Sequence, residues 1–130
     1  MPVNFRIGVL GLGSIGKRHA RNIRALGHDV TGYDPDPGRR AGFAELGGRA
    51  VEMRQKIIDD SDAIVIATPS GHHLNDLHQS VSARCHVFIE KPLAHTDDGL
   101  EAILHQADAL NVIVFVGLNQ RFNPVIEAAR

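Results

Sequence analysis

Three short stretches carry residue types at spacings that could do chemistry. Gly11-Leu12-Gly13-Ser14-Ile15-Gly16 has the glycine spacing of a turn that cradles a dinucleotide pyrophosphate. Asp34 follows at about the twenty-residue interval where an acid meets the adenosine ribose. In that reading Gly11 permits the tight turn, Gly13 the approach of backbone to phosphate, and Gly16 the contact of helix with sheet. The helix N-terminus at Ser14 and Ile15 then faces the phosphates. Thr68-Pro69-Ser70 and Glu90-Lys91 are the other two stretches, each closing an apolar run. An acid beside a base at the end of a buried strand is either a solvated ion pair on a turn or the rim of a site. Lys91 taken alone fits a solvated loop lysine as well as a catalytic one.

Other reactive side chains are less telling. His72, His73 and His78 lie close together with Asp76, but their spacing is not that of a standard ligand pair, and no metal is expected. Lys17, Arg18, Arg21 and Arg24 recur at three- and four-residue steps, the pattern of a solvated helix face. Cys85 has no activating neighbour in sequence and reads as a packed thiol.

Positioning these groups requires alternating strands and helices. Phe5 to Leu10 reads as a strand, Ser14 to Leu26 as a helix stopped by Gly27, and Asp29 to Tyr33 as a second strand. Residues 38 to 46 read as a helix, Ala50-Val51 as a brief strand, and Met53 to Ile58 as a weak helical turn. "AIVIA", Ala63 to Ala67, is a β-branched run of the kind covered on both faces of a parallel sheet. Leu74, Leu77 and Val81 mark a helix, Val87 to Ile89 a buried strand, and Leu100 to Leu110 a long helix with Thr96 as N-cap and Asp97 and Asp98 at its positive end. Val112 to Val116 is the last core strand. The alternation predicts an α/β fold, a doubly wound parallel sheet of the dinucleotide-binding Rossmann kind, whose ligand edge is at the carboxyl ends of the strands. The second and third stretches fall at that edge, beside the glycine turn.

Composition sets the remaining bounds. The 130 residues are 43% hydrophobic and 22% charged, which suits one globular core and excludes a largely disordered chain. A formal net charge of -1 gives no general attraction for nucleic acid or anionic membrane. One cysteine and no leader pattern make a reducing cytoplasm the expected compartment.

Four ordered motifs resemble the amino-terminal half of the glucose-fructose oxidoreductase, inositol dehydrogenase and rhizopine-catabolism family (Gfo/Idh/MocA). They are "GLGSIGKRH" with Asp34 downstream, "ATPSGHH" from Ala67 to His73, "EKPLA" from Glu90 to Ala94, and "VGLNQRFNP" from Val116 to Pro124. The resemblance implies NAD(P)-dependent hydride transfer on a sugar, cyclitol or related carbonyl compound, and a homo-oligomer for a full-length form. It implies Lys91 as the residue that binds the reacting oxygen and assists proton transfer, with a cis Lys91-Pro92 bond. Thr68, Pro69, Ser70, His73, Glu90, Lys91 and Arg121 join the glycine turn and Asp34 as cofactor contacts by the same resemblance. Ser70 departs from the asparagine often found there.

The cofactor expected is NAD, because the Asp34 carboxylate would repel a 2′-phosphate; Arg39 and Arg40 could swing toward such a phosphate and leave NADP possible. A regulatory dinucleotide-binding module without catalysis remains the competing class, and a methyltransferase a weaker one. Asn123-Pro124 opens a helix of barely two turns. Residues 1 to 122 are therefore expected to form the dinucleotide domain, and residues 123 to 130 to begin a connection to a substrate domain not contained in the chain.

Overall fold

The computed structural model describes residues 4–129, without the side chains of Gln120 and Arg121. Its elements are β1 (Ile7–Leu10), α1 (Ser14–Ala25), β2 (Val30–Tyr33), α2 (Pro37–Glu45), β3 (Arg49–Ala50), α3 (Arg54–Asp60), β4 (Ala63–Ile66), α4 (His73–Ser82), β5 (His86–Glu90), α5 (Leu100–Leu110), β6 (Val114–Gly117) and α6 (Pro124–Ala128). One-turn 3-10 segments, Ser70–His72 and Asn119–Phe122, precede α4 and α6. The six strands form one parallel sheet in the order β3-β2-β1-β4-β5-β6, the doubly wound arrangement expected.

Strand alternation divides the core between the two faces. Val9, Val65 and Val30 point to one side, where Leu12, Ala20 of α1 and Phe43 of α2 cover them. Leu10, Ile64, Ile66, Val87 and Ile89 point to the other, against Ile57 and Ile58 of α3, Leu77 and Val81 of α4, and Ile103 and Ala107 of α5. Burial on both faces is why β4 reads as a continuous β-branched run. Cys85 is packed in this second cluster, 1% exposed, and burial pushes its thiol above the ordinary value.

The element ends differ from the sequence reading by a residue or two, and one cap differs in kind. Thr96 does not cap α5. Its hydroxyl instead accepts the Asp98 N–H at 3.1 Å, closing a local turn, and the helix begins after Gly99, which has φ 81°. A threonine ahead of two acids satisfies a turn as readily as a cap, and only the glycine's left-handed backbone decides where the helix can start. α2 is capped by Asp36, whose carboxylate accepts Gly38 N–H at 2.7 Å, with Pro37 in the first helical position. α6 begins the same way, Asn123 accepting Val125 N–H ahead of Pro124.

Far from the ligand edge, Asp62 pins the entry of β4 to the start of β1. Its carboxylate accepts the Arg6 backbone N–H at 2.9 Å and the guanidinium at 2.7 Å. The Arg6 hydrogen bonds hold the Asp62 carboxyl at about 2, below its ordinary value of 3.8. A carboxyl depressed in the folded state contributes stability that is complete above the unfolded value and is lost as pH falls through the folded one. Unfolding midpoints in urea should therefore decline between about pH 4 and pH 2, with Asp62→Asn flattening that stretch. An unchanged pH profile would remove Asp62 from the account of acid stability.

Candidate functional site

The chain turns back on itself between β1 and β4: after β1 it builds outward through β2 and β3, then returns to pair β4 on the other side of β1. At that switch the carboxyl ends of two strands part into a crevice, where open α/β sheets bind ligands. Gly11 leaves β1 with φ 92° and lies against the next strand's exit, so that a Cβ there would stand 2.5 Å from Ala67 O. Its N–H donates to Tyr33 O at 2.9 Å, locking the turn to β2 as well. A Cβ at Gly16 would fall 1.8 Å from Gly11 O, so the first turn of α1 packs directly on the loop. At Gly13 a Cβ would meet nothing within 4 Å. The three glycines thus divide as the fingerprint requires: two fill tight contacts and the middle one borders open space.

That space is suited to an anion. No side chain caps α1, whose N-cap is Gly13, and its first turn holds no acid. The N–H groups of the first turn, which includes Ser14 and Ile15, are free of intrahelical partners and lie at the positive end of the helix. Leu12, Gly13 and Ser14 line a groove of about 520 Å³ with Lys17, Arg18, Arg21 and Arg39. The basic run is largely exposed, as its spacing predicts, and part of it borders this groove. Three of its cations flank the glycine turn, and α2 contributes a fourth. The sequence pattern could show the α1 spacing but not that Arg39 joins it.

Asp34 faces inward. It is 3% exposed; one carboxylate oxygen accepts Leu12 N–H and the other Asp36 N–H, each at 2.9 Å. The expected ribose acid thus shapes the glycine turn itself, and its remaining lone pairs are what a ribose hydroxyl could use. Arg39 Nη1 stands 3.6 Å from Asp34 Oδ2 and remains half exposed. Arg40, the other arginine expected to reach a phosphate, is spent on backbone carbonyls, donating to Asp34 O at 2.8 Å and Pro35 O at 3.1 Å.

The β4 and β5 exits supply the other expected residues. Thr68 Oγ1 donates to buried Asp76 at 2.6 Å, and Asp76 also pairs with Arg54, so this threonine anchors α4 to the loop. Pro69 starts the 3-10 turn, its carbonyl accepting His72 N–H at 2.9 Å. Ser70 is within hydrogen-bond distance of His95, 2.7 Å from Oγ to Nε2, bridging the two loops at the surface. His73 takes a different part from the one expected: it is 1% exposed, with Nδ1 2.6 Å from Pro92 O and Nε2 2.9 Å from Thr68 O. Its ring is used to join the two loops and presents no face to the crevice. Glu90 likewise turns from the crevice to His19 on α1, Oε1 to Nε2 2.5 Å. Lys91 follows with an exposed side chain and a cis bond to Pro92. The side chain of Arg121 lies outside the described residues. His19 had no distinguishing mark in sequence beyond its place in "GKRH", because its partner is 71 residues away.

Comparison with known proteins places the chain among oxidoreductases. Residues 5–118 match the Gfo/Idh/MocA family, described as an oxidoreductase family with an NAD-binding Rossmann fold. An inositol 2-dehydrogenase of Acidothermus cellulolyticus is 35% identical over 129 residues, covering 93% of this chain and 38% of that protein. UDP-N-acetylglucosamine 3-dehydrogenase of Acidithiobacillus ferrooxidans is 28% identical, covering 98% and 41%. Its solved structure superposes with a TM-score of 0.88 at 27% identity, over 99% of this chain and 43% of that one. A scyllo-inositol dehydrogenase from Lactobacillus casei, solved with NAD(H) and scyllo-inositol, gives 0.84 at 28% identity, over 98% and 40%. The chain thus spans about two fifths of the length of these relatives.

The glycine geometry generates a paired expectation. Gly16→Ala should destabilise the fold by about 1–3 kcal/mol or more, because the added methyl meets backbone that cannot move aside. Gly13→Ala should leave the urea midpoint nearly unchanged but weaken NAD about tenfold or more, equivalent to about 1.4 kcal/mol. Equal effects of the two on stability would show that Gly13 does not border the ligand.

Proposed function

Since the chain belongs to the Gfo/Idh/MocA family of oxidoreductases, with its NAD-binding Rossmann fold, we propose that it is the cofactor domain of a hydride-transferring enzyme. The substrate class is a sugar, cyclitol or related hydroxy or carbonyl compound. Support comes from relatives named for inositol and UDP-N-acetylglucosamine. One observation carries the reading: the open, uncapped glycine turn and the exposed Lys91 stand on the same carboxyl edge of one sheet.

Residues 1 to 122 are the dinucleotide domain in this proposal, and residues 123 to 130 begin the connection to a substrate domain, in keeping with the length of the relatives. The backbone N–H groups at Gly13, Ser14 and Ile15 hold the pyrophosphate, with Lys17 and Arg18 adding positive charge around it. Bound NAD supplies the carbon that takes or gives the hydride. Lys91 holds the substrate oxygen and passes its proton, a role its exposed position permits and a loop lysine without ligand would not need. Thr68, Pro69 and Ser70 form the facing wall. A regulatory module would use the same glycine turn but would leave Lys91 without a task.

The cofactor is NAD, and Arg39 gives a second reading a foothold. It lies in the cationic groove 3.6 Å from the Asp34 carboxylate, where it offsets the charge that would otherwise reject a 2′-phosphate. Titration calorimetry should find NAD tighter than NADP, with Arg39→Ala removing most of the NADP binding that remains. Tighter NADP binding by the unaltered chain would reverse the assignment.

Tested alone, the 130-residue chain should form no NADH from a polyol and sugar panel, because substrate must be held against the cofactor from both sides. In the complete polypeptide, Lys91→Ala should lower turnover by about two orders of magnitude while leaving NAD affinity within about twofold. Loss of NAD binding with turnover per bound cofactor intact would make Lys91 a cofactor ligand instead.

A further inference from the structure

Lys91 is mounted between two histidines from different helices. Glu90, the residue before it, has its carboxylate 2.5 Å from His19 Nε2 on α1, and both side chains are about four-fifths buried, at 23% and 21% exposure. Pro92, the residue after it, has its carbonyl 2.6 Å from His73 Nδ1 on α4. His19 is also held edge-on by Phe88 with ring centroids 5.0 Å apart, and Phe88 stacks on Phe115 of β6 at 5.6 Å. Gly117 leaves room for this arrangement, since a Cβ there would come within 2.9 Å of Phe88 Cζ and 3.5 Å of Glu90 Oε1.

We infer that His19 is a positioning residue for Lys91 and acts through Glu90; the inference rests on the hydride-transfer reading and adds a residue to it. A lysine head sits on a flexible four-carbon stem, so the protein can constrain it from behind only by fixing the backbone it hangs from. β5 ends at Glu90, and with it the sheet's hold on the chain. Alternation along β5 sends Phe88 to the face covered by α1, and Glu90 to the same face, where His19 receives it. That bond anchors the residue before Lys91, as the contact of His73 with the Pro92 carbonyl anchors the residue after it.

The helix chosen for this contact matters. His19 lies five residues beyond Ser14, about 7.5 Å along the same axis as the phosphate-binding turn. One rigid helix therefore sets both the phosphate end of the cofactor and, through His19 and Glu90, the origin of the catalytic side chain. An error of about 1 Å in that separation can cost about a hundredfold in rate. The pair thus makes the register between cofactor and lysine a property of α1.

The test uses the complete polypeptide, with Lys91→Ala as reference and His19→Ala, His19→Gln, Glu90→Gln and the His19→Ala/Glu90→Gln double variant. His19→Ala should lower kcat about tenfold while NAD affinity and substrate KM stay within about twofold. His19→Gln, which can place a donor where Nε2 stands, should recover most of that loss, and the double variant should be no slower than the slower single one. Unchanged kcat in His19→Ala would reduce the pair to a structural contact. A fall in NAD affinity matching the fall in rate would assign His19 to the cofactor site, and failure of glutamine to rescue would remove the bond to Glu90 from the explanation. Should His19→Ala not fold, Glu90→Gln keeps the shape of the side chain and must itself show the tenfold loss, or the inference fails. If Lys91→Ala keeps full turnover, the hydride-transfer reading falls and this inference with it; an impaired Lys91→Ala beside an unimpaired His19→Ala sinks the inference alone.

Discussion

Asp34 leaves β2 with its carboxylate turned into the protein, where it takes the N–H groups of Leu12 and Asp36. Burying a charged group costs several kcal/mol unless hydrogen bonds replace its water, and here two backbone donors do so. The glycine turn is consequently tied to the end of a strand it does not belong to. Gly11 N–H to Tyr33 O makes a second tie to the same strand, and the contact with Ala67 closes the turn against β4. The exits of β2, β1 and β4 become one rigid unit, and the open space at Gly13 is what remains between them.

Polar side chains on the opposite side of the crevice are likewise committed within the protein. Thr68, His73 and Glu90 carry polar groups that a sequence reader aims at a ligand, yet each is turned to another element: Thr68 to Asp76, His73 to two loop carbonyls, Glu90 to His19. These residues build the walls of the crevice. Among the described residues, the backbone of the glycine turn and the cations beside it border open space, and Lys91 is exposed at the end of β5.

The fold was largely legible because its signals are local. β-branched runs, helical spacing and the glycine triplet each lie within a dozen residues, and the α/β alternation follows from their order. The site was legible at the level of which strand ends would meet. It was not legible at the level of which side chains would be spent on each other, since His19 and Glu90 are 71 residues apart and Arg39 reaches the α1 cations only through α2 packing. Thr96 is ambiguous for the complementary reason: its sequence neighbourhood supports either a cap or a turn, and the left-handed glycine three residues on decides between them.

The sheet ends very differently on its two sides. β3 is two residues long and carries Arg49, so it offers a neighbouring chain almost no row of free peptide groups to pair with. β6 is four residues long, and Phe115 and the flanking Ile113 and Leu118 are exposed beside it. An apolar edge invites strand addition more than a very short charged one does. Of the two edges among the described residues, β6 is therefore the one whose backbone leaves a further strand something to pair with.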